Sequence, residues 1–101
     1  MERIICSAVW YKELPTPVHR PTNVDVGMVF CGHRHPHCMH NMIAITGKRS
    51  VTPECGEYVQ GFLTDTNRFV DRVEGAKIAL ACGQIKELEY SKTKLYSEDL
   101  Y

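Results

Sequence analysis

The fold is decided by residues 58–72, which read YVQGFLTDTNRFVDR. Tyr58 to Leu63 is rich in β-favouring and apolar residues and predicts a strand. Residues 65–67 have the composition of a turn, and residues 68–70 predict a short returning strand. The stretch therefore predicts a β-hairpin.

A helix is predicted directly after this hairpin. Asp71 and Glu74 form the D-x-x-E pattern that is typical of a helix start. The helix is expected to run from Arg72 to about Cys82, and Gly83 is expected to end it. Its spacing predicts one apolar, buried face, made of Val73, Ala76, Ala79 and Leu80.

The residues before the hairpin predict two further strands and one further helix. Ile4 to Tyr11 and Val26 to Cys31 are rich in apolar and β-favouring residues. Pro36 suits the first turn of a helix, because it has no N–H to leave unpaired there. Gly47 is the expected C-terminal cap of that helix, and Lys48 to Gly56 is expected to be a loop.

The element order β-β-α-β-β-α predicts a single α+β domain over residues 1–101. We expect a small antiparallel or mixed sheet of about four strands with two helices. A polar tail, from about residue 86 to residue 101, ends with apolar and aromatic residues. The tail is expected to dock on the body of the domain or on a partner subunit.

The composition limits the compartment and the class of partner. The chain has 101 residues and a formal net charge of zero, so a strongly basic surface for long nucleic acid is not expected. No apolar run approaches the roughly 20 residues that span a bilayer, and no signal peptide precedes the five cysteines. We expect a protein of the bacterial cytoplasm with free thiols, and no membrane as partner.

A histidine-rich turn, Gly32-His33-Arg34-His35-Pro36-His37, is the first candidate for function. Metal binding is one chemistry open to it, but its histidines alternate in direction in an extended segment, and C-x-x-C spacing is missing. Nucleophilic catalysis by Cys38 or Cys31 is a second, although no third, orienting group is visible.

Anion binding is the third chemistry, and the residue types favour it. The first N–H groups of a helix are unpaired and carry partial positive charge. Arg34 offers a planar fork for phosphate, and His33 and His35 add donors. A purely structural role is the alternative, in which His35 caps the helix and no ligand binds.

The hairpin is a second candidate, because it also places an arginine at a helix start. Phe62 or Phe69 could stack on a nucleobase. Strand alternation puts Phe62 on the same face as the polar residues Gln60 and Thr64, which favours Phe62 as the stacking residue. Asp71 could accept a hydrogen bond from an adenine amino group or a ribose hydroxyl. Its alternative role is that of a helix N-cap.

Five motifs together resemble a known family of small phage proteins. They are Gly32-His-Arg-His-x-x-Cys38, Gln60-Gly-Phe-Leu-Thr64, Arg68-Phe-Val-Asp-Arg72-x-x-x-Ala76, Gly83-Gln-Ile85 and Leu95-Tyr-Ser-Glu-Asp-Leu-Tyr101. In these motifs, which span most of the chain after residue 30, the sequence resembles the first-described Thoeris anti-defence sponge family.

The resemblance implies a function and a set of roles. Such sponges hold a cyclic ADP-ribose isomer made by a bacterial immune sensor without cleaving it, and some members also bind cyclic oligonucleotides. They are homodimers or hexamers with ligand sites at subunit boundaries. By motif, Phe62 would stack on the base, Asp71 and Arg72 would contact base or ribose, and His33, Arg34 and His35 would approach the phosphates.

The sequence therefore predicts a binding protein that is not an enzyme, with no cofactor and no catalytic or metal-ligating residue. The alternatives are a zinc-stabilised structural or interaction module of a phage and a cysteine-dependent hydrolase. The predicted ligand-binding residues are His33, Arg34, His35, Phe62, Asn67, Arg68, Asp71 and Arg72.

Overall fold

A four-stranded sheet forms the centre of the computed structural model, which describes residues 1–101. The strands are β1 (Ile4–Tyr11), β2 (Met28–Gly32), β3 (Tyr58–Thr64) and β4 (Phe69–Asp71). They lie in the order β2-β1-β3-β4, and each neighbouring pair is antiparallel. The predicted α+β class is confirmed, and the sheet is antiparallel rather than mixed.

Four helices accompany the sheet: α1 (His35–Thr46), α2 (Thr52–Cys55), α3 (Arg72–Ala81) and α4 (Ser97–Leu100). The two longer ones, α1 and α3, correspond to the predicted helices. The two short ones lie in segments that were expected to be loop and tail, because a single helical turn has too few residues to show a periodic pattern.

The predicted caps of α1 and α3 are confirmed. Gly47 ends α1 in the left-handed region with φ 73°, a conformation that glycine adopts without strain. Asp71 precedes α3, and its carboxylate accepts the N–H of Glu74 at 2.8 Å. That bond satisfies one of the unpaired N–H groups of the first turn.

Both long helices pack on one face of the sheet. Helix α1 covers β1 and β2, and α3 covers β3 and β4. Ser7 of β1 lies opposite Phe62 of β3, and the alternation of side chains places Val9 and Tyr11 on that same face. The core therefore lies between the sheet and the two helices. Beneath α3 it contains Ile4, Phe62, Val70, Ala76, Ile78, Ala79, Ile85 and Leu95.

The buried face of α3 differs from the predicted one. Val73 and Leu80 are 39% and 41% exposed, whereas Gly75 is buried. A Cβ at position 75 would lie 2.9 Å from the Phe62 ring. The helix thus makes a close approach to the sheet at Gly75, which turns Val73 and Leu80 away from the core.

The opposite face of the sheet is partly covered by the connection between β1 and β2. Asn23 in this connection binds the main chain of Phe69 twice: its Nδ2 donates to the carbonyl at 2.6 Å, and its Oδ1 accepts the N–H at 2.8 Å. Trp10 donates its indole N–H to the carbonyl of Val26 at 2.8 Å. These bonds hold the connection against the sheet.

The tail docks on the body of the domain. Leu95 is fully buried, and its N–H donates to the carbonyl of Arg72 at 2.9 Å. Upstream, the side-chain amide of Gln84 accepts from the N–H of Ile4 and donates to its carbonyl. No helix of the protein is both long enough and apolar enough to cross a membrane.

Candidate anion-binding site

The histidine-rich turn forms the start of α1. Arg34 is the N-cap residue, with an extended backbone, and its N–H donates to Nδ1 of His37 at 3.1 Å. Pro36 lies in the first turn, as predicted. The cap is therefore built by Arg34 and His37, and not by His35 as in the structural alternative.

His35 is a core residue, so its prediction as a phosphate contact is wrong. Its side chain is almost fully buried, and its Nε2 donates to the carbonyl of Gly61 at 2.8 Å. Its ring meets the edge of Phe62, with the ring centroids 5.2 Å apart. Burial lowers the pKa of His35, which favours the neutral imidazole. His35 thus anchors the start of α1 to β3.

Phe62 is also a core residue, so its prediction as an exposed stacking residue is wrong. It has no exposed surface, because Gly75 of α3 lies directly over its ring. Alternation did place Phe62 on the face of Gln60 and Thr64, but that face is the one that the helices cover. Thr64 is fully buried as well.

His33 and Arg34 contact the last residues of the chain, Tyr96–Tyr101, which we call the C-terminal strap. Arg34 Nη1 lies 3.5 Å from Glu98 Oε1, and Arg34 Nη2 donates to the main-chain oxygen of Tyr101. The ring of His33 lies on the ring of Tyr101, with centroids 4.3 Å apart. Both predicted cationic residues are thus at the surface, and the strap lies against them.

Arg72 is the predicted residue whose geometry best fits an anion. Its Nη2 donates to Gln60 Oε1 at 2.6 Å, and its guanidinium lies 4.3 Å from the ring centroid of Tyr96. No carboxylate pairs with it, in contrast to Arg34 and Arg68. Its guanidinium is held in place without being neutralised by a carboxylate.

The guanidinium lines a small open groove of about 200 Å³, which we call the Arg72 groove. Lys94 adds a second cation without a salt bridge. The carboxylate of Asp71 is engaged by the N–H of Glu74. The groove is lined by Gln60, Asp71, Arg72, Val73 and Lys94.

The starts of α1 and α3 meet at Gly61. Gly61 is the register partner of Asp71, the N-cap of α3, and its carbonyl accepts from His35, the first residue of α1. A Cβ at position 61 would lie 2.0 Å from the carbonyl oxygen of Val70, so only glycine allows this approach. Two helix starts, each carrying partial positive charge, therefore lie on one side of the molecule.

The remaining predicted residues have structural contacts. Asp71 caps α3. Arg68 forms a two-bond ion pair with Glu2, with N···O distances of 2.9 and 2.8 Å. These bonds, together with those that the Thr64 and Thr66 hydroxyls donate to Glu2, lower the pKa of Glu2 to about 2. Asn67 forms the β3–β4 turn with φ 61°, and its carbonyl accepts from Thr22. The eight predicted residues therefore do not converge on one site.

The largest groove, of about 390 Å³, lies on the opposite face of the sheet. Asn67 is the one predicted residue that lines it. Arg20 also lines it, but its guanidinium donates to the carbonyls of Pro17, Val18 and Val24. Arg20 thus holds the β1–β2 connection in shape.

The structure contains no ligand set for the zinc alternative, because no three His, Cys, Asp or Glu side chains are grouped so as to hold a metal ion. The nucleophile alternative names Cys38 or Cys31. Cys31 is exposed, and its hydrogen bond with the Cys6 thiol raises the pKa of its own thiol. Cys38 is fully buried. Burial raises the pKa of its thiol to about 11, so thiolate is scarce at neutral pH. Its sulfur lies within hydrogen-bond distance of the main-chain oxygens of Ser7 and Arg34.

Lys94, Tyr96 and Gln60 are the neighbours of Arg72 that sequence reasoning missed. Gln60 lies within the quoted hairpin, and its position one strand away from Arg72 follows from the predicted pairing. Lys94 and Tyr96 reach the groove only because the tail folds back, and the sequence indicated docking of the tail without its location.

Comparison with known proteins identifies the family of the chain. The family model described as phage T4 y16D protein matches residues 3–101. No curated protein and no solved structure matches the chain. Because the family model covers nearly the whole sequence, the chain belongs to the phage T4 y16D protein family.

Proposed function

We propose that this phage protein binds a cyclic nucleotide signal of bacterial immunity and sequesters it without cleaving it. The ligand that the sponge resemblance implies is a cyclic ADP-ribose isomer. The protein would act in the cytoplasm of the host bacterium. Membership of a phage family supports the setting, and the motifs that resemble the sponge family support the ligand.

The guanidinium of Arg72 is the observation that carries the proposal. Gln60 and Tyr96 hold it in one orientation, and no carboxylate neutralises it. A guanidinium fixed in this way presents its remaining donors to two oxygens of one phosphate. Lys94 brings a second positive charge to the same groove.

The start of α1 adds partial positive charge near this face, since its first turn holds no acidic residue. The start of α3 adds little, because the carboxylate of Asp71 caps it and Glu74 lies in its first turn. His33 and Arg34 extend the cationic surface toward the C-terminal strap. We call His33, Arg34, Arg72 and Lys94 together the basic face. Tyr96 is the aromatic ring on Arg72, and it replaces Phe62 as the candidate for contact with a base.

The size of the Arg72 groove favours a site shared by two subunits. Its volume is about 200 Å³, below the roughly 300–1,000 Å³ of pockets that enclose small ligands. One copy therefore offers room for a phosphate group, and a second copy would close over the remainder. This agrees with the homodimer or hexamer that the resemblance implies.

Binding without turnover is favoured over catalysis. The buried Cys38 has no histidine or carboxylate in hydrogen-bond contact, and such contacts activate a nucleophile. The arginine and lysine side chains of the basic face are hydrogen-bond donors without an acceptor. A ligand held there would keep its phosphate bonds.

Calorimetric titration with the cyclic ADP-ribose isomer tests the site. Arg72→Ala is expected to weaken binding by about tenfold to a hundredfold, because a hydrogen bond to a charged group contributes roughly 1.5–3 kcal/mol. Arg3→Ala is the matched control: it also removes one cation, and the Arg3 side chain makes no bond. Equal affinities for the two variants would show that Arg72 is not part of the site.

A further inference from the structure

The C-terminal strap places acidic and aromatic groups on the cations of the basic face. Glu98 and the main-chain oxygen of Tyr101 both bind the guanidinium of Arg34. The Tyr101 ring lies against His33 at a centroid distance of 4.3 Å. Arg34 and His33 are therefore occupied within the chain itself.

The chemistry of these contacts matches that of a nucleotide. Two oxygen acceptors on one guanidinium is the arrangement that a phosphate offers to arginine. The Tyr101 ring packs on the His33 imidazole with the two planes tilted by 37°, and a base makes aromatic contacts of this kind with a side chain. The strap thus presents to Arg34 and His33 the same two types of group that the proposed ligand carries.

The strap is firmly anchored at its start and held by fewer contacts beyond it: Leu100 packs on the edge of the core, and the Tyr101 hydroxyl donates to the carbonyl of Ile5 at 3.2 Å. Leu95, just before it, is fully buried and bonded to the main chain of Arg72, and Ser97 is 1% exposed. Helix α4 is a single turn of four residues, too short to persist by itself. The Arg34–Glu98 pair has side chains 36% and 45% exposed, and such exposed pairs contribute little stability.

Glu98 is the carboxylate that faces the cations. The second carboxylate of α4, that of Asp99, accepts the N–H groups of Tyr96 and Glu89, so it stabilises the strap internally. Glu98 instead points to Arg34, and its Oε1 also accepts from Ser97. Removing the charge of Glu98 therefore weakens the hold on Arg34 and leaves the turn of α4 intact.

We propose that the end of the C-terminal strap, residues 98–101, is an internal occupant of the basic face, which covers His33 and Arg34 in the free protein and is displaced when an anionic ligand binds, while Tyr96 stays on Arg72. The inference rests on the proposed anion-binding function. Glu98 and the main-chain oxygen of Tyr101 bind Arg34 and not Arg72. Arg72 therefore receives the ligand first. Displacement of residues 98–101 then frees Arg34 for a second phosphate group.

Titration with inorganic pyrophosphate tests the competition without a nucleotide. Glu98→Gln is expected to bind pyrophosphate about threefold to tenfold more tightly than wild type, because the fraction of molecules with a free Arg34 rises. Glu87→Gln is the matched control, since Glu87 is exposed and makes no side-chain bond. It removes the same charge and is expected to leave the affinity within twofold of wild type.

Amide hydrogen exchange gives an independent readout. Saturating pyrophosphate is expected to speed exchange at Asp99 and Tyr101, whose N–H groups bond within the strap, and to leave Leu95 unchanged. Equal pyrophosphate affinity for wild type, Glu98→Gln and Glu87→Gln, with unchanged strap exchange, would overturn the strap proposal alone. Failure of all three proteins to bind pyrophosphate would overturn the anion site as well.

Discussion

Replacing Phe62 with alanine removes a fully buried ring from the core beneath α3. Truncation of a buried phenylalanine costs about 3–5 kcal/mol, and the cost rises with the cavity that remains. Here the helix contacts the ring through Gly75, which has no side chain to fill the space. We therefore expect a loss of about 4 kcal/mol in the free energy of unfolding.

Urea denaturation followed by circular dichroism measures this loss. With a slope of about 2 kcal/mol per molar urea, the unfolding midpoint should fall by about 2 M. Tyr90→Ala is the control, because it removes an aromatic ring that is 60% exposed. It should change stability by no more than about 0.5 kcal/mol. A Phe62→Ala midpoint as high as that of the control would refute the core position of Phe62 and return it to the surface.

Three further predictions concern titratable groups. Glu2→Gln should lower the free energy of unfolding, measured with urea, by about 1–2 kcal/mol, a value reduced by the water that reaches the ion pair. Since the folded pKa of Glu2 is about 2, the wild-type protein should lose this stability as the pH falls from about 4.5. An unchanged urea midpoint in Glu2→Gln would contradict a stabilising role of the ion pair. The pKa of His35 is lowered by burial, so this side chain is protonated more readily in the unfolded chain, and wild-type stability should fall as the pH drops below about 6.5. His35→Gln should flatten the slope of unfolding free energy against pH. An equal slope in the variant would show that another group causes the dependence. Iodoacetamide at pH 7.5, followed by peptide mass spectrometry, should label Cys6 well before Cys38. The Cys31 thiol lowers the pKa of Cys6 to about 7, whereas burial raises the pKa of Cys38 to about 11. Faster labelling of Cys38 would contradict its burial.

The strands and the long helices could be predicted from the sequence because their signals are local. The alternation in β3, the Asp71 cap and the Gly47 cap each act within a few residues of their position. The face on which Phe62 lies followed from the same alternation. The same alternation did not indicate which elements cover that face, because α1 and α3 come from distant parts of the chain.

The candidate site could be predicted only in part, for the same reason. Arg72 is placed at the start of α3 by a local pattern, and Gln60 by strand pairing. Lys94 and Tyr96 arrive through the folding of a polar tail, which has no periodic pattern to indicate its path. His35 has the residue type of a ligand contact, and only its hydrogen bond to Gly61 shows that it belongs to the core.

Recovery of ligand from the complex decides whether the protein sequesters the cyclic nucleotide without cleaving it. The protein is incubated with the cyclic ADP-ribose isomer, freed of unbound ligand by gel filtration, and heat-denatured; the released material is then identified by liquid chromatography and mass spectrometry. We expect the isomer to co-elute with the protein and to be recovered intact, and Arg72→Ala to retain much less of it. Release of a hydrolysed product, or no retained ligand with the wild-type protein, would contradict sequestration without cleavage.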